Sequence, residues 1–249
     1  MEVLVSVVLP NYNSEKFIRE TLDSVLAQTY QNWELFAVDD CSTDGSVDII
    51  REYAEKDARI KLVLREKNSG VANVRNAGVQ MANGKYIALL DSDDLWTEDK
   101  LERQVALLEE TGADLAYCSY DFIDENSKPL GKTFKVPEKT NFKKMLAKNV
   151  VSCSTAIMKT DLFKEHPFNP DYYHEDYVLW MELMRIPVTV EGDTKVLMHY
   201  RQSANSRSHK KGNAAKHRWL IYRKVLKLSW IRSAWAFVRY AINGVLKYS

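Results

Sequence analysis

Four consecutive residues, Asp91-Ser92-Asp93-Asp94, close an apolar run at residues 86–90. In extended backbone, side chains two apart project the same way, so Asp91 and Asp93 converge on one site. Carboxylate oxygens suit hard cations such as Mg²⁺ or Mn²⁺, and a cation held there would neutralise a departing diphosphate. The alternative is a solvated acidic turn ahead of a capped helix. Asp39-Asp40 closes an earlier run; a carboxylate there can accept the ring N–H of a pyrimidine base while Tyr12, from residues 10–13, stacks on its face. The alternative is an N-cap for a helix beginning at Ser46. Asn68-Ser69-Gly70 ahead of Arg75-Asn76 fits a turn entering a helix on the same edge. Arg75 either contacts nucleotide or phosphate or lies on the surface. Glu175-Asp176 opens an apolar helical run, where acids also serve the helix dipole; the functional reading makes Asp176 the general base for an acceptor hydroxyl. Trp180, Cys118 and Cys153 read as core, and His199 as a satisfied structural histidine.

These groups need a frame that brings them to one edge. Apolar runs at 4–9, 35–38, 60–64 and 86–90 read as strands. Helical patterns lie between them: one capped by Ser14, one from Ser46, one over 70–81, then one capped by Thr97 and running through Glu110. Such alternation predicts an α/β fold with a mostly parallel sheet flanked by helices on both faces. Ligands in such sheets bind at the carboxyl ends of the strands. The clusters at 10–13, 39–44 and 91–94 all sit on segments leaving those ends. Beyond about residue 115 the pattern is mixed, with shorter strands near 115–120, 154–158 and 196–200 and helices near 142–148 and 175–184.

The net charge of +1 over 249 residues hides an asymmetry. Residues 194–249 carry 13 of the 35 Lys and Arg and none of the 34 Asp and Glu, leaving the first 193 residues at −12. An acidic body with a basic tail calls for two kinds of partner. The tail projects as two amphipathic helices whose apolar arcs differ by roughly half a turn, so a break is expected near Ser229. Tryptophan-bearing basic helices of this kind anchor on membrane surfaces; packing on the body or on a second copy in a homo-oligomer is the alternative. The most apolar stretch, 228–246, contains Arg232 and Arg239, each costing about 2.5–3.5 kcal/mol at a bilayer centre, which argues against a spanning helix. Three cysteines without metal spacing suit a reducing compartment, and the opening run is too short and acidic for a signal peptide.

Taken together, Pro10-Asn11-Tyr12-Asn13, Asp39-Asp40, Gly70 through Arg75-Asn76, Asp91-Ser92-Asp93-Asp94 and Glu175-Asp176 resemble the family 2 glycosyltransferases of the GT-A fold. Among these the chain is similar to bacterial enzymes of capsule, O-antigen, exopolysaccharide or teichuronic-type synthesis. The likeness covers residues 3–205, giving a GT-A domain over 1–205 (nucleotide half 1–112, acceptor half 113–205) and a basic helical tail over 206–249. It implies inverting, metal-dependent transfer of one sugar from a nucleotide diphosphate donor, most often UDP-linked, to a lipid-linked glycan acceptor, with no nucleic-acid partner. By position, Pro10, Tyr12, Asp40, Asn68 and Arg75 would contact the nucleotide. Asp91 would hold ribose or metal, Asp93 the metal, and Asp176 would be the base; Asp94 matches the motif without an assigned role. The tail would place the enzyme on the cytoplasmic face of the plasma membrane. Ser203 stands where many relatives have histidine, and the Gln-x-x-Arg-Trp motif and membrane spans of processive synthases are missing. Nucleotidyltransferases, which need a glycine-rich loop after the first strand, fit poorly; a catalytically inactive, transferase-like subunit scaffolding a membrane polysaccharide-assembly complex is the remaining alternative.

Overall fold

A computed structural model describes residues 2–202 and 211–248, with side chains placed for 2–202 and 215–242. The first four strands are β1 (Val5–Asn11), β2 (Trp33–Asp39), β3 (Ile60–Leu64) and β4 (Tyr86–Leu89). They alternate with helices α1 (Ile18–Leu26), α2 (Ser46–Lys56) and α3 (Val71–Met81) and pair in parallel in the order β3-β2-β1-β4. β1 and β2 are buried at every position, as strands covered on both faces must be. Phe36 and Val38 pack with Val74 of α3 on one face; Leu35 and Ala37 join Leu22, Val25 and Ile50 of α1 and α2 in the main core.

Beyond β4 the pairing becomes mixed. A two-residue strand, β5 (Leu95–Trp96), precedes α4 (Lys100–Thr111), β6 (Leu115–Ile123) and β7 (Pro129–Phe134). Next come α5 (Phe142–Ala147), a 3₁₀ turn (Cys153–Thr155), β8 (Ile157–Lys159), α6 (Thr160–Glu165), α7 (Glu175–Leu183) and β9 (Val190–Arg201). The sheet continues β4-β8-β6-β9-β5, antiparallel except between β6 and β9, with β7 beside β6. Two reversals restore the first direction, so β6 and β9 end on the same edge as β1, β2 and β4.

Several expectations shift. Pro10 is the sixth residue of β1, not part of a turn. The Val8 carbonyl accepts from Leu90 N–H at 3.1 Å, so residue 10, two positions on, faces the same side. There β4 has already ended, and the missing proline N–H costs no ladder bond. Ser14 does not cap α1 with its hydroxyl, which donates to Asn11; its carbonyl accepts from Phe17 and Ile18 instead. Thr97 lies outside α4 and bonds Asp99, the residue at the cap position. β5, β7 and α6 are too short to leave a periodic signal.

The tail breaks where its pattern changes phase. α8 (Lys211–Leu220) runs into a π-helical turn (Ile221–Val225), and α9 (Trp230–Tyr248) starts just after Ser229, with Lys227 in a left-handed conformation at φ 49°. Ile221, Tyr222, Leu226 and Leu228 are buried in the main core. No described helix is long and apolar enough to cross a membrane.

α3 lies close on the sheet because Gly78 has no side chain. A Cβ there would meet Val8 Cγ1 at 2.6 Å and Val38 Cγ2 at 3.4 Å. Gly78→Val should therefore cost about 1–3 kcal/mol, read as a lower urea midpoint at unchanged m-value; wild-type stability would mean a looser contact.

Candidate active site

The donor-side edge is assembled by hydrogen bonds among loops. Asp39, the last residue of β2, accepts from Asn11 Nδ2 at 2.6 Å and Ser42 N–H at 2.9 Å, tying β1's end to the acidic loop. Asp44, rather than Asp40, organises the start of α2, accepting from Ser46 N–H at 3.0 Å. Asp40 instead holds the entry to α3: its carboxylate accepts from Ser69 N–H (2.8 Å), Ser69 Oγ (3.1 Å) and Gly70 N–H (2.8 Å). Gly70 adopts φ +82°, which glycine tolerates best. A carboxylate offers about four lone-pair sites, so one direction remains for a further donor. Asn68 Nδ2 donates to the Asp40 carbonyl at 3.0 Å. Tyr12, 53% exposed, presents its ring beside this edge.

The loop after β4 is wired differently. Asp94 is buried and accepts from Ser154 Oγ (2.5 Å) and Arg201 N–H (3.1 Å). The Asp93 carbonyl accepts from Arg201 Nε at 2.7 Å, leaving its carboxylate for other use. Burial, reinforced by the Asp91 charge, pushes the Asp93 carboxyl up to about 6. Burial, with the charges of Asp93 and Asp91, raises Asp94 well above the ordinary range.

Arg75 is not on the surface. It is buried in α3, with Nη2 2.5 Å from Asp91 Oδ1 and Nη1 2.8 Å from Glu175 Oε1. Burial alone would pull its proton affinity down, but the Asp91 and Glu175 charges more than offset that. Its guanidinium lies 5.4 Å from the Phe168 ring centroid, and next door Asn76 exchanges two hydrogen bonds with the Phe168 backbone, at 2.8 and 2.9 Å. The Arg75-Asn76 pair thus fixes the stretch that leads into α7. Glu175 is spent on Arg75, whereas no hydrogen bond among the described residues engages the half-buried Asp176 carboxylate. Burial raises the Cys153 thiol well above its usual value; the charges of Asp91, Asp176 and Glu175 add to this and that of Arg75 opposes it.

The tail supports this base helix. The Arg218 guanidinium lies 3.5 Å from the Tyr177 ring centroid, and His217 stacks on Tyr173 at 5.0 Å. Trp180 is buried against Phe163 and Phe168. His199 Nδ1 lies 2.6 Å from Asp121 Oδ1, a paired structural histidine. Ser203 is outside the described residues. Ser154 and Arg218, which brace the site, carried no motif signal of their own, and the pairing of Glu175 with Arg75 is revealed only by the tertiary contacts.

No group of three or more His, Cys, Asp or Glu side chains among the described residues forms a metal cage. The donor set nonetheless fits Mg²⁺ or Mn²⁺, which are held through one or two carboxylates plus substrate phosphates. Asp93 has an uncommitted, charge-frustrated carboxylate, and Asp91 keeps the oxygen that Arg75 does not take.

The sequence profile described as Glycosyl transferase family 2 matches residues 6–166. A Bacillus subtilis (strain 168) protein named as a teichuronic acid biosynthesis glycosyltransferase is 36% identical, over 98% of this chain and 97% of its own length. An Escherichia coli protein named UDP-Glc:alpha-D-GlcNAc-diphosphoundecaprenol beta-1,3-glucosyltransferase is 33% identical, over 100% and 96%. The crystal structure of S. aureus TarS in complex with UDP-GlcNAc superposes with a TM-score of 0.75 over 94% of this chain and 70% of that one, at 23% identity, showing the same fold.

Two outcomes test this geometry. An Asp93 carboxyl raised from 3.8 to about 6 disfavours the fold increasingly as pH climbs through that window. Asp93→Asn should therefore raise the melting temperature of the metal-free protein at pH 7.5, with the gain vanishing by pH 4; a pH-independent gain would exclude this cause. Arg75→Met removes the shared guanidinium from between Asp91 and Glu175 and should cost about 3–5 kcal/mol in urea unfolding. A loss below about 1 kcal/mol would show the triad to be solvated.

Proposed function

The chain belongs to glycosyltransferase family 2, and from that premise we propose an inverting transfer of one sugar from a UDP-linked donor to a hydroxyl of a lipid-linked glycan. The reading makes the reaction metal-dependent and sets it at the cytoplasmic face of the plasma membrane. The observation that carries it is the uncommitted Asp176 carboxylate beside the Asp91–Arg75–Glu175 triad. The relatives' names support the substrate class: one carries teichuronic acid, the other a UDP-glucose donor and a diphosphoundecaprenol acceptor.

In this reading Tyr12 stacks on the uracil, and Asp40, held by Ser69 and Gly70, accepts its ring N–H. Pro10 and Asn68 shape the same pocket, and Arg75 acts from beneath by holding Asp91 toward ribose or metal. Asp91 and Asp93 would hold the Mg²⁺ or Mn²⁺, whose charge offsets that of the diphosphate. Asp176 takes the proton of the acceptor hydroxyl as its oxygen bonds the anomeric carbon from the face opposite the diphosphate. The bond to the diphosphate breaks, UDP leaves, and the configuration inverts. Residues 1–112 then form the donor half and 113–205 the acceptor half, with 206–249 as a membrane-side element whose first part is built into the acceptor half.

Asp176→Asn should leave UDP affinity near wild type while kcat falls about 10²–10⁴-fold, the range for losing a general base. Lost UDP affinity at unchanged kcat would remove Asp176 from this role. Proton NMR of the product should show the anomeric configuration opposite to the donor's, and excess chelator should stop UDP release; retained configuration or full activity in chelator would overturn the mechanism.

A further inference from the structure

Amphipathic helices normally dock by their apolar arc. α9 does the reverse. Its body-facing edge is Ser233 and Ala236, both fully buried, with Phe237 against Trp219 (5.7 Å between ring centroids) and Tyr240 beside Arg218 (4.8 Å). The large apolar side chains face out: Ile231 is 83% exposed, Trp230 67%, and Trp235, Val238 and Ile242 at least half. At 100° per residue, Ile231, Trp235, Val238 and Ile242 fall within an arc of roughly 60°. These four share one face and form a patch and not a scatter, while Trp230 packs edge-on against Trp219 at 5.2 Å beside it.

We propose that this arc of α9 is a docking surface for the interface of an anionic lipid bilayer, with the helix lying in the membrane plane. Two exposed basic residues of α9, Arg232 and Arg239, border the arc. The Arg239 guanidinium lies 4.7 Å from the Trp235 ring centroid, and residues 194–249 contain no acid. Tryptophan and arginine around an apolar stripe match the chemistry of the headgroup boundary, where rings sit at the interface and cations meet lipid phosphates. A second copy fits worse. An isologous contact sets the same rim against itself, which here brings arginine toward arginine with no nearby carboxylate to pair them. The π-helical turn takes no part in this surface, because its Ile221 and Tyr222 are in the core, and α8 meets α9 through Trp219, against Phe237. α8 transmits it: Arg218 touches both Tyr240 of α9 and Tyr177 of the base helix, so a docked α9 fixes the acceptor side of the site relative to the bilayer.

The inference rests on reading the acceptor as membrane-borne and names the surface that reads the membrane. The full chain is co-sedimented with phosphatidylcholine vesicles with and without phosphatidylglycerol, and UDP binding in Mn²⁺ is measured separately. Wild type should bind the anionic vesicles about tenfold or more tightly than neutral ones, with added salt weakening the binding. Ile231→Gln/Trp235→Gln/Ile242→Gln, all on the exposed arc, should lose binding at least about tenfold while keeping melting temperature and UDP affinity. Arg232→Gln/Arg239→Gln should lose only the preference for anionic lipid. Undiminished vesicle binding by the triple variant overturns the proposal. So does a wild-type dimer that the triple variant converts to monomer, with no vesicle binding by either. Failure of UDP binding in wild type would sink the donor reading alone, since vesicle binding requires no nucleotide.

Discussion

The guanidinium of Arg75 is buried between a carboxylate on the loop after β4 and one at the start of α7, 2.5 Å from Asp91 and 2.8 Å from Glu175. Three charges inside a protein persist only if geometry and hydrogen bonding repay their desolvation. A planar fork that donates to two carboxylates at once does so where a lysine would not. Much else follows from that placement. α3 must lie close enough on β1 and β2 to deliver Arg75 from below, which Gly78 allows. The stretch before α7 must return over α3, which Asn76 secures through the Phe168 backbone. Glu175 then engages Arg75, and the next residue, Asp176, has no hydrogen-bond partner among the described residues.

The carboxylates at the end of β4 divide their labour by burial. Asp94 is drawn under the loop, where Ser154 and the Arg201 backbone satisfy it. Ser154 also accepts the Asp91 N–H at 3.1 Å, so one hydroxyl braces both ends of the motif. The Asp93 carboxyl is held up mainly by burial and then by the Asp91 charge, against which Arg201 and Arg75 act only in part. Carboxyl groups perturbed by burial and by one another mark a candidate functional site, because that arrangement gives up local stability.

The C-terminal segments show one composition serving two environments. Ile221, Tyr222, Leu226 and Leu228 complete the core beside α5 and α7, where Tyr222 reaches the Leu146 carbonyl at 3.4 Å and Arg185 the Leu226 carbonyl at 2.7 Å. The chain turns at Lys227, between Leu226 and Leu228, and the next apolar arc points away from the body. The phase shift between the arcs requires this, since no straight helix presents both to one surface.

The sequence by itself determined the first, parallel half of the sheet. Strand–helix alternation, local in the chain, placed β1 to β4 within a few residues, and three polar clusters marked the carboxyl edge before any contact was known. It also determined the tail's break, because helical phase is a local property. The family-matched carboxylates Asp40, Asp91, Asp93 and Asp176 were legible as residue types at strand and helix ends. What only the tertiary structure decided was which of them are free. Asp40 and Asp94 are largely committed to backbone donors, Arg75 faces inward between acids 16 and 100 residues away, and Glu175 rather than Asp176 is its partner. The mixed second half of the sheet, the short β5, β7 and α6, and the outward face of α9 were likewise hidden. Burial and pairing are long-range properties: whether a charged or apolar side chain is solvated, paired or covered depends on segments the chain brings back from far away, and no spacing along the sequence encodes that.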